Sequence, residues 1–254
     1  MDFNQFHQWV HKELGINLSA YKPTQLNRRI DSLMTRLGVK SLEEYTKLIK
    51  NDKDHRQKFL DFITINVTEF FRNPELFEEL EGILKKEVAV NNSLKIWSAA
   101  CSIGCEPYSI SMILNNISPT GRHKITATDI DNTILTKAKL GEYTDNEMKN
   151  VKQKELDKYF KKVKDKYYID QSVKNMITFK KHDLILDSYD NNFDLIVCRN
   201  VVIYFNVDVK NDIYKRFAAS LKKGGLLFVG ATESIYNYKD FGFEKASTFI
   251  CRKL

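Results

Sequence analysis

Long apolar runs are missing from this chain. No window approaches the roughly 18 consecutive apolar residues a membrane-spanning helix requires, so no direct membrane insertion is expected. The start, "MDFNQFHQWVHKELG", is polar and amphipathic and lacks the apolar stretch of a signal peptide, which predicts a cytoplasmic protein. Cysteine is scarce as well. Cys101, Cys105, Cys198 and Cys251 form no CxxC pair and have no spaced His/Cys partners, so zinc is not expected. Internal repeats and low-complexity linkers are also lacking. Glycine is sparse where it would matter most. The stretch "WSAACSIGCEPYSI", Trp97 to Ile110, runs from an apolar strand through small residues into a helix, yet its single glycine is Gly104. A phosphate-cradling loop would carry two or three.

What is present is 254 residues, 43% of them hydrophobic, enough for one large domain or a small one beside a medium one. Forty Lys and Arg against 33 Asp and Glu give a net charge of +7, which suits an anionic partner without choosing one. The first 90 or so residues read as helices. Asp2 is placed to cap a helix whose Phe3, Phe6, Val10 and Leu14 share a face, and "SLEEY" at Ser41 has the form of a capping box with Glu44. From about residue 94, strand-like runs alternate with helical ones: "LKIWSAA" then "PYSISMILNNI", "KITATDI" then "NTILTKAKLG", "FDLIVCRN" then "DVKNDIYKRFAASLKKGG", and finally "LLFVGATES". This alternation predicts an α/β fold with a mostly parallel sheet covered on both faces. A less regular segment, about 141 to 174, reads as a small β excursion or a plain surface insertion. In such sheets ligands bind beyond the carboxyl ends of the strands. Ala100–Glu106, Asp129 and Arg199–Asn200 fall there.

Each candidate has a structural and a chemical reading. Glu106 either favours the helix N-terminus through the macrodipole or serves a cationic, hydroxyl-rich ligand. Asp129 in "TATDID" either caps the next helix, a role open to Asp131, or bonds ribose hydroxyls. A loop with a carboxylate and little glycine suits S-adenosylmethionine (SAM), which has an ammonium, a sulfonium and a ribose but no pyrophosphate. In "NVTEFFRNP", Asn66, Thr68 and Arg72 lie around two phenylalanines, and Arg72 could face a carboxylate. Pro74 would open the next helix. In "KPTQLNRRIDSLMTRLG", Leu26, Ile30, Leu33 and Leu37 form an apolar stripe, with Lys22, Arg29 and Arg36 on another face and Arg28 nearby. That face is either simply solvated or a docking surface for an acidic partner. Without interleaved aromatics it is poorly suited to single-stranded nucleic acid, and no nucleic-acid partner is expected.

Taken together, "INVTEFFRNPE", "WSAACSIGCEPYSI", "ATDID", "FKKHDL", "FDLIVCRNVVIYFN" and "LKKGGLLFVGATES" occur in the order and spacing of the chemotaxis receptor methyltransferases. The chain resembles that family, CheR, nearly end to end. The resemblance implies a Rossmann-like class I SAM methyltransferase sheet with a small β insertion at about 141–182. An all-helical N-terminal domain would precede it, with domains at 1–75 and 76–254. It implies transfer of a methyl group from SAM to glutamate side chains of chemoreceptors, leaving S-adenosylhomocysteine. Asn66, Thr68, Arg72, Glu106, Asp129, Asp183, Leu184, Cys198, Arg199 and Asn200 would contact the cofactor. Arg72 and Tyr204 would be catalytic, while Arg28, Arg29 and Arg36 would meet the receptor. A monomer recruited to receptor arrays at the membrane is implied. A SAM-binding module without catalysis, or a methyltransferase with another substrate, are the alternatives. Three positions depart from the family pattern: Cys105 replaces the first of two acids before Pro107, Ile103 a small hydroxyl residue, and Asp183 an Asn.

Overall fold

The first helix, α1 (Phe3–Leu14), begins where Asp2 predicts. The Asp2 carboxylate accepts the Gln5 amide at 2.8 Å and the Gln5 side chain accepts the Asp2 amide at 3.0 Å, a closed capping box. Ser41 likewise accepts the Glu44 amide at 3.2 Å and opens α3 (Leu42–Asn51). The reciprocal bond runs from Lys40 N–H to Glu44 at 3.0 Å, one residue earlier than a true capping box would place it. Between them lies α2 (Pro23–Arg36), started by its N1 proline. Leu26, Ile30 and Leu33 are buried as the stripe predicts, Met34 joins them, and Leu37 is only half-buried. With α4 (Lys53–Thr64) these helices enclose a core in which the Phe6, Tyr45 and Phe59 rings meet at 5.9–6.0 Å and are fully buried. The computed structural model describes residues 1–64 and 67–254, and residues 1–66 with 204–211 form this first unit.

The second unit comprises residues 67–203 and 212–254. It runs α5 (Pro74–Val90), β1 (Lys95–Ala99), α6 (Cys105–Ile117), β2 (Lys124–Asp129), α7 (Asn132–Leu140), β3 (Glu142–Tyr143), α8 (Gln153–Tyr159), β4 (Phe160–Val163), β5 (Lys166–Ile169), α9 (Gln171–Lys174), β6 (Ile177–Lys181), β7 (Phe193–Cys198), α10 (Val207–Ser220), β8 (Leu221–Val229), β9 (Phe243–Lys245) and β10 (Ile250–Lys253). The first turn of α10 counts with the first unit. The large sheet has the order β6-β2-β1-β7-β8-β10-β9. Its first five strands are parallel, and β10 is antiparallel to both β8 and β9. The mostly parallel sheet expected from the alternating pattern is therefore present. Its order reverses between β1 and β7, and the carboxyl ends of those neighbours open a crevice where ligands bind in such sheets.

Strands covered on both faces read as continuous apolar runs. Ile96, Leu195, Val197, Leu226 and Phe228 pack on Leu76, Phe77, Leu80 and Leu84 of α5 and on Ile110, Ile113 and Leu114 of α6. On the other face Trp97 donates to Thr128 Oγ1 at 2.8 Å and meets the rings of Phe193, Phe217, Tyr189 and His182. One boundary differs from the sequence pattern. The helical run expected through "LKKGG" stops at Ser220, and those five residues open β8 instead. A Cβ on Gly225 would lie 2.9 Å from Lys222 O and 3.0 Å from Phe193 O, where the β7–β8 register shifts.

The irregular segment forms a three-stranded sheet, β3-β5-β4, and β6 joins the large sheet. Tyr143, Tyr159, Tyr167 and Ile169 of this segment share a buried cluster with Phe70, Cys105, Tyr108 and Met112. The Tyr143 hydroxyl donates to Ile103 O at 2.8 Å. The small sheet is thus a buttress for the loop after β1.

Candidate cofactor and active site

The loop after β1 turns by placing alternate residues in the left-handed region: Ala100 at φ 62°, Ser102 at 50° and Gly104 at 90°. Gly104 is required for space as well, since a Cβ there would lie 3.0 Å from the Tyr108 ring and 3.2 Å from Ala138 Cβ. The single glycine therefore serves conformation and close packing at once. Asp129, at the end of β2, fixes the loop from the side: Oδ2 accepts Ser102 N–H at 2.9 Å and Oδ1 accepts Asp131 N–H at 3.1 Å. The capping role goes to Asp131, which accepts Thr133 N–H at 2.7 Å. An ionised carboxylate has about four acceptor positions, so Asp129 retains capacity for hydroxyl groups. Burial raises its pKa, opposed by these backbone hydrogen bonds.

Glu106 stands in the first turn of α6. Its Oε1 accepts the Ser98 hydroxyl at 2.8 Å, and Oε2 lies 3.9 Å from Arg199 Nη1. Burial pushes its pKa up to about 7, against the pull of Arg199 and Ser98. The side chain keeps 13% exposure, so a carboxylate short of a close cation faces a narrow opening. An ammonium group fits that deficit, as a ribose fits the spare acceptors of Asp129. SAM carries both.

Arg199 follows β7 directly. Its side chain is 2% exposed. The guanidinium lies 5.1 Å from the Phe77 ring and 4.8 Å from the Phe228 ring. Its Nη2 donates to Arg72 O at 2.7 Å and to Asn73 Oδ1 at 3.0 Å. Cys198, before it, is buried at the strand end. Asn200, after it, is left-handed at φ 62°.

Sequence reasoning missed the group that holds this turn. Glu233, buried in "GATES", accepts the amides of Asn200, Val201 (2.8 Å) and Gly230 (2.9 Å). A Cβ on Gly230 would lie 2.5 Å from Glu233 Oε2 and 3.0 Å from Asn200 N. The available signal was an acid three residues after a glycine at the end of an apolar strand.

The remaining expected cofactor residues divide. Thr68 is half-buried, and Arg72 Nη1 donates to Val67 O at 3.2 Å. Asp183 Oδ1 accepts the amides of Ile185 at 2.7 Å and Leu186 at 3.2 Å, so its polar group shapes a turn. Leu184 is buried beside it. His182 N–H donates to Asp129 O at 2.9 Å and ties the end of β6 to the end of β2. Asn66 lies outside the described residues.

In the helical unit, Tyr21, Lys22, Gln25, Leu26, Arg28, Arg29, Ile63 and Tyr204 line a cleft of ≈ 240 Å³. Among the described residues, three cations and no carboxylate line it. Arg29 is not a freely solvated cation: it donates to Phe62 O and stacks 4.7 Å over the Phe62 ring, and burial lowers its pKa. Arg36 is exposed in the last turn of α2 and is not part of the cleft.

The CheR methyltransferase SAM-binding domain matches residues 66–250, and the CheR methyltransferase all-alpha domain matches residues 1–64. The chain belongs to the CheR methyltransferase family. Its cofactor is SAM. A chemotaxis protein methyltransferase from Listeria monocytogenes is 38% identical over 251 residues, covering 98% of this chain and 96% of that protein. Chemotaxis protein methyltransferase Cher2 from Pseudomonas putida is 37% identical, covering 94% and 92%. Among solved structures, a TehB-like SAM-dependent methyltransferase from Corynebacterium glutamicum aligns with a TM-score of 0.41 at 15% identity, over 79% of this chain and 94% of that one. Cys105 is a buried thiol among aromatic rings. No described group of three or more His, Cys, Asp or Glu could hold a metal ion.

Proposed function

We propose that this CheR protein methylates glutamate side chains in the cytoplasmic domains of membrane chemoreceptors, working as a monomer recruited to receptor arrays. The observation that carries the reading is the cleft beside Tyr204, whose Lys22, Arg28 and Arg29 are met by no carboxylate among the described lining residues. Such a surface recognises a helix rich in glutamate. Arg28 is exposed and available to it, whereas Arg29, held on Phe62, sets the wall.

SAM supplies a sulfonium methyl carbon, and transfer forms a carbon–oxygen bond to the glutamate while the carbon–sulfur bond breaks with its electron pair returning to sulfur. The glutamate is already ionised at pH 7, so none of these residues has to act as a general base. Glu106 binds the ammonium, Asp129 the ribose hydroxyls, and Thr68, Asp183 and Leu184 complete the pocket. Arg72 and Tyr204 orient the attacking carboxylate oxygen, where alignment contributes most of the rate. Because negative charge on that oxygen is lost during transfer, they must orient it without gripping it tightly.

The test is transfer of tritiated methyl from SAM to a chemoreceptor cytoplasmic domain, followed by mild base. Base-labile label on glutamates is the expected result. Binding of SAM without transfer would replace this reading with that of a cofactor-sensing module.

A further inference from the structure

The resemblance alone makes Arg199 a cofactor contact, yet its side chain is 2% exposed and turned away from solvent. Its terminal donors face the protein, while its buried Nε has no hydrogen-bond partner among the described residues. One nitrogen, Nη2, serves both the Arg72 carbonyl and the Asn73 side-chain oxygen, at 2.7 and 3.0 Å. Those acceptors belong to a turn that needs holding. Phe71 and Asn73 flank Arg72 with φ of 50° and 60°, a conformation costly for a side chain as bulky as phenylalanine. The Phe71 amide is tied separately to Ser109 Oγ at 3.0 Å. The other nitrogen, Nη1, faces Glu106 at 3.9 Å. The Phe77 and Phe228 rings fix the guanidinium plane.

We infer that Arg199 is a positioning residue: its buried guanidinium fixes the Phe71–Arg72–Asn73 turn and so aims the Arg72 side chain. This rests on the proposed role of Arg72 in methyl transfer. A planar fork can reach the Arg72 carbonyl and Glu106 from its two ends, whereas a lysine ammonium offers one point of attachment. Charge alone therefore does not replace it.

The experiment is a double-mutant cycle on the full chain, with SAM and a receptor cytoplasmic domain as substrates. Arg199→Lys is expected to lower kcat about 10- to 100-fold, the scale of a lost hydrogen bond to a charged group, with KM for SAM nearly unchanged. In an Arg72→Ala background the same substitution is expected to add no further loss. A raised KM for SAM with kcat retained would return Arg199 to the cofactor contacts and overturn the inference. So would losses that multiply in the double variant. Near-normal kcat in Arg72→Ala alone would remove the proposed role of Arg72 and the inference with it, a result distinct from multiplying losses. Should Arg199→Lys fail to fold, Asn73→Ala removes one acceptor and keeps the buried charge in place. It is expected to lower kcat about 3- to 10-fold with KM for SAM unchanged, and unchanged kcat in that folded variant would also overturn the inference.

Discussion

Phe70 and Cys105 lie in one buried cluster with Tyr108, Tyr143 and Tyr159, Cys105 at the start of α6. The thiol thus shares its surroundings with a residue of the "NVTEFFRNP" segment. Burial raises the Cys105 thiol pKa, and the same holds for Cys101 and Cys198. A buried thiol without thiolate character is inert. The native protein at pH 8 is therefore expected to react with none of its four cysteines on the timescale of a free thiol, and with all four in denaturant. An Ellman titration checks this, and rapid native labelling of Cys105 would mean that the cluster opens.

Glu106 makes stability and cofactor affinity depend on pH in opposite directions. Its carboxyl rises from an ordinary 4.5 to about 7 in the fold, a penalty on the order of 3 kcal/mol on the ionised form. A raised carboxyl pKa means that the folded protein holds a proton the unfolded chain has released. The corresponding stability is complete below pH 4.5 and is lost as pH rises through about 7. A bound ammonium reverses the preference, so SAM affinity is expected to climb between those two pH values with uptake of SAM releasing a proton. Calorimetry in buffers of different ionisation enthalpy measures that proton, and Glu106→Gln should abolish it.

Gly230→Ala is expected to damage the turn after β7. The added Cβ would lie 3.0 Å from Asn200 N in that turn and 2.5 Å from Glu233 Oε2, which the Asn200 and Gly230 amides hold in place. Overpacking of this kind costs about 1–3 kcal/mol, readable in urea unfolding. SAM affinity should fall with it, because Asn200 loses its fixed amide. A variant with wild-type stability and affinity would show that Glu233 is free to move.

Asp183→Asn is expected to change little. The Asp183 oxygen that accepts the Ile185 and Leu186 amides has a counterpart in the asparagine carbonyl. Stability should stay within about 0.5 kcal/mol and SAM affinity within about threefold, by thermal shift and calorimetry. A large gain in affinity would mean that the extra negative charge had been opposing the cofactor.

The sequence made the sheet legible because strands covered on both faces cannot alternate: "LKIWSAA" and "FDLIVC" are apolar runs for the same reason that Ile96 and Val197 are buried. Caps were legible wherever a short polar side chain meets orphan amides, as at Asp2 and Ser41. Asp129 could be placed at a strand end, but its bond to Ser102 N–H could not, because it depends on a loop twenty-seven residues away folding back. Glu233 was invisible for a related reason. Its partners at Asn200 and Val201 come from the neighbouring strand's end, thirty-three and thirty-two residues earlier. The end of α10 was misread because "LKKGG" has helix-forming residues, and only the pairing of β8 with β7 makes them extended.

The chain enters the helical unit twice, once as residues 1–66 and again as 204–211, where Lys22 N–H donates to Tyr204 O at 2.9 Å and the Tyr21 and Phe205 rings meet at 5.0 Å. Two passes change what a cut can do. Cleavage of the single crossing near residue 66 would leave the pieces joined through that second segment, and a fragment ending there would lose part of the cleft wall with Tyr204. The helical part is thus not a detachable cassette. A gene fusion or domain exchange between relatives would need three matched junctions, not one.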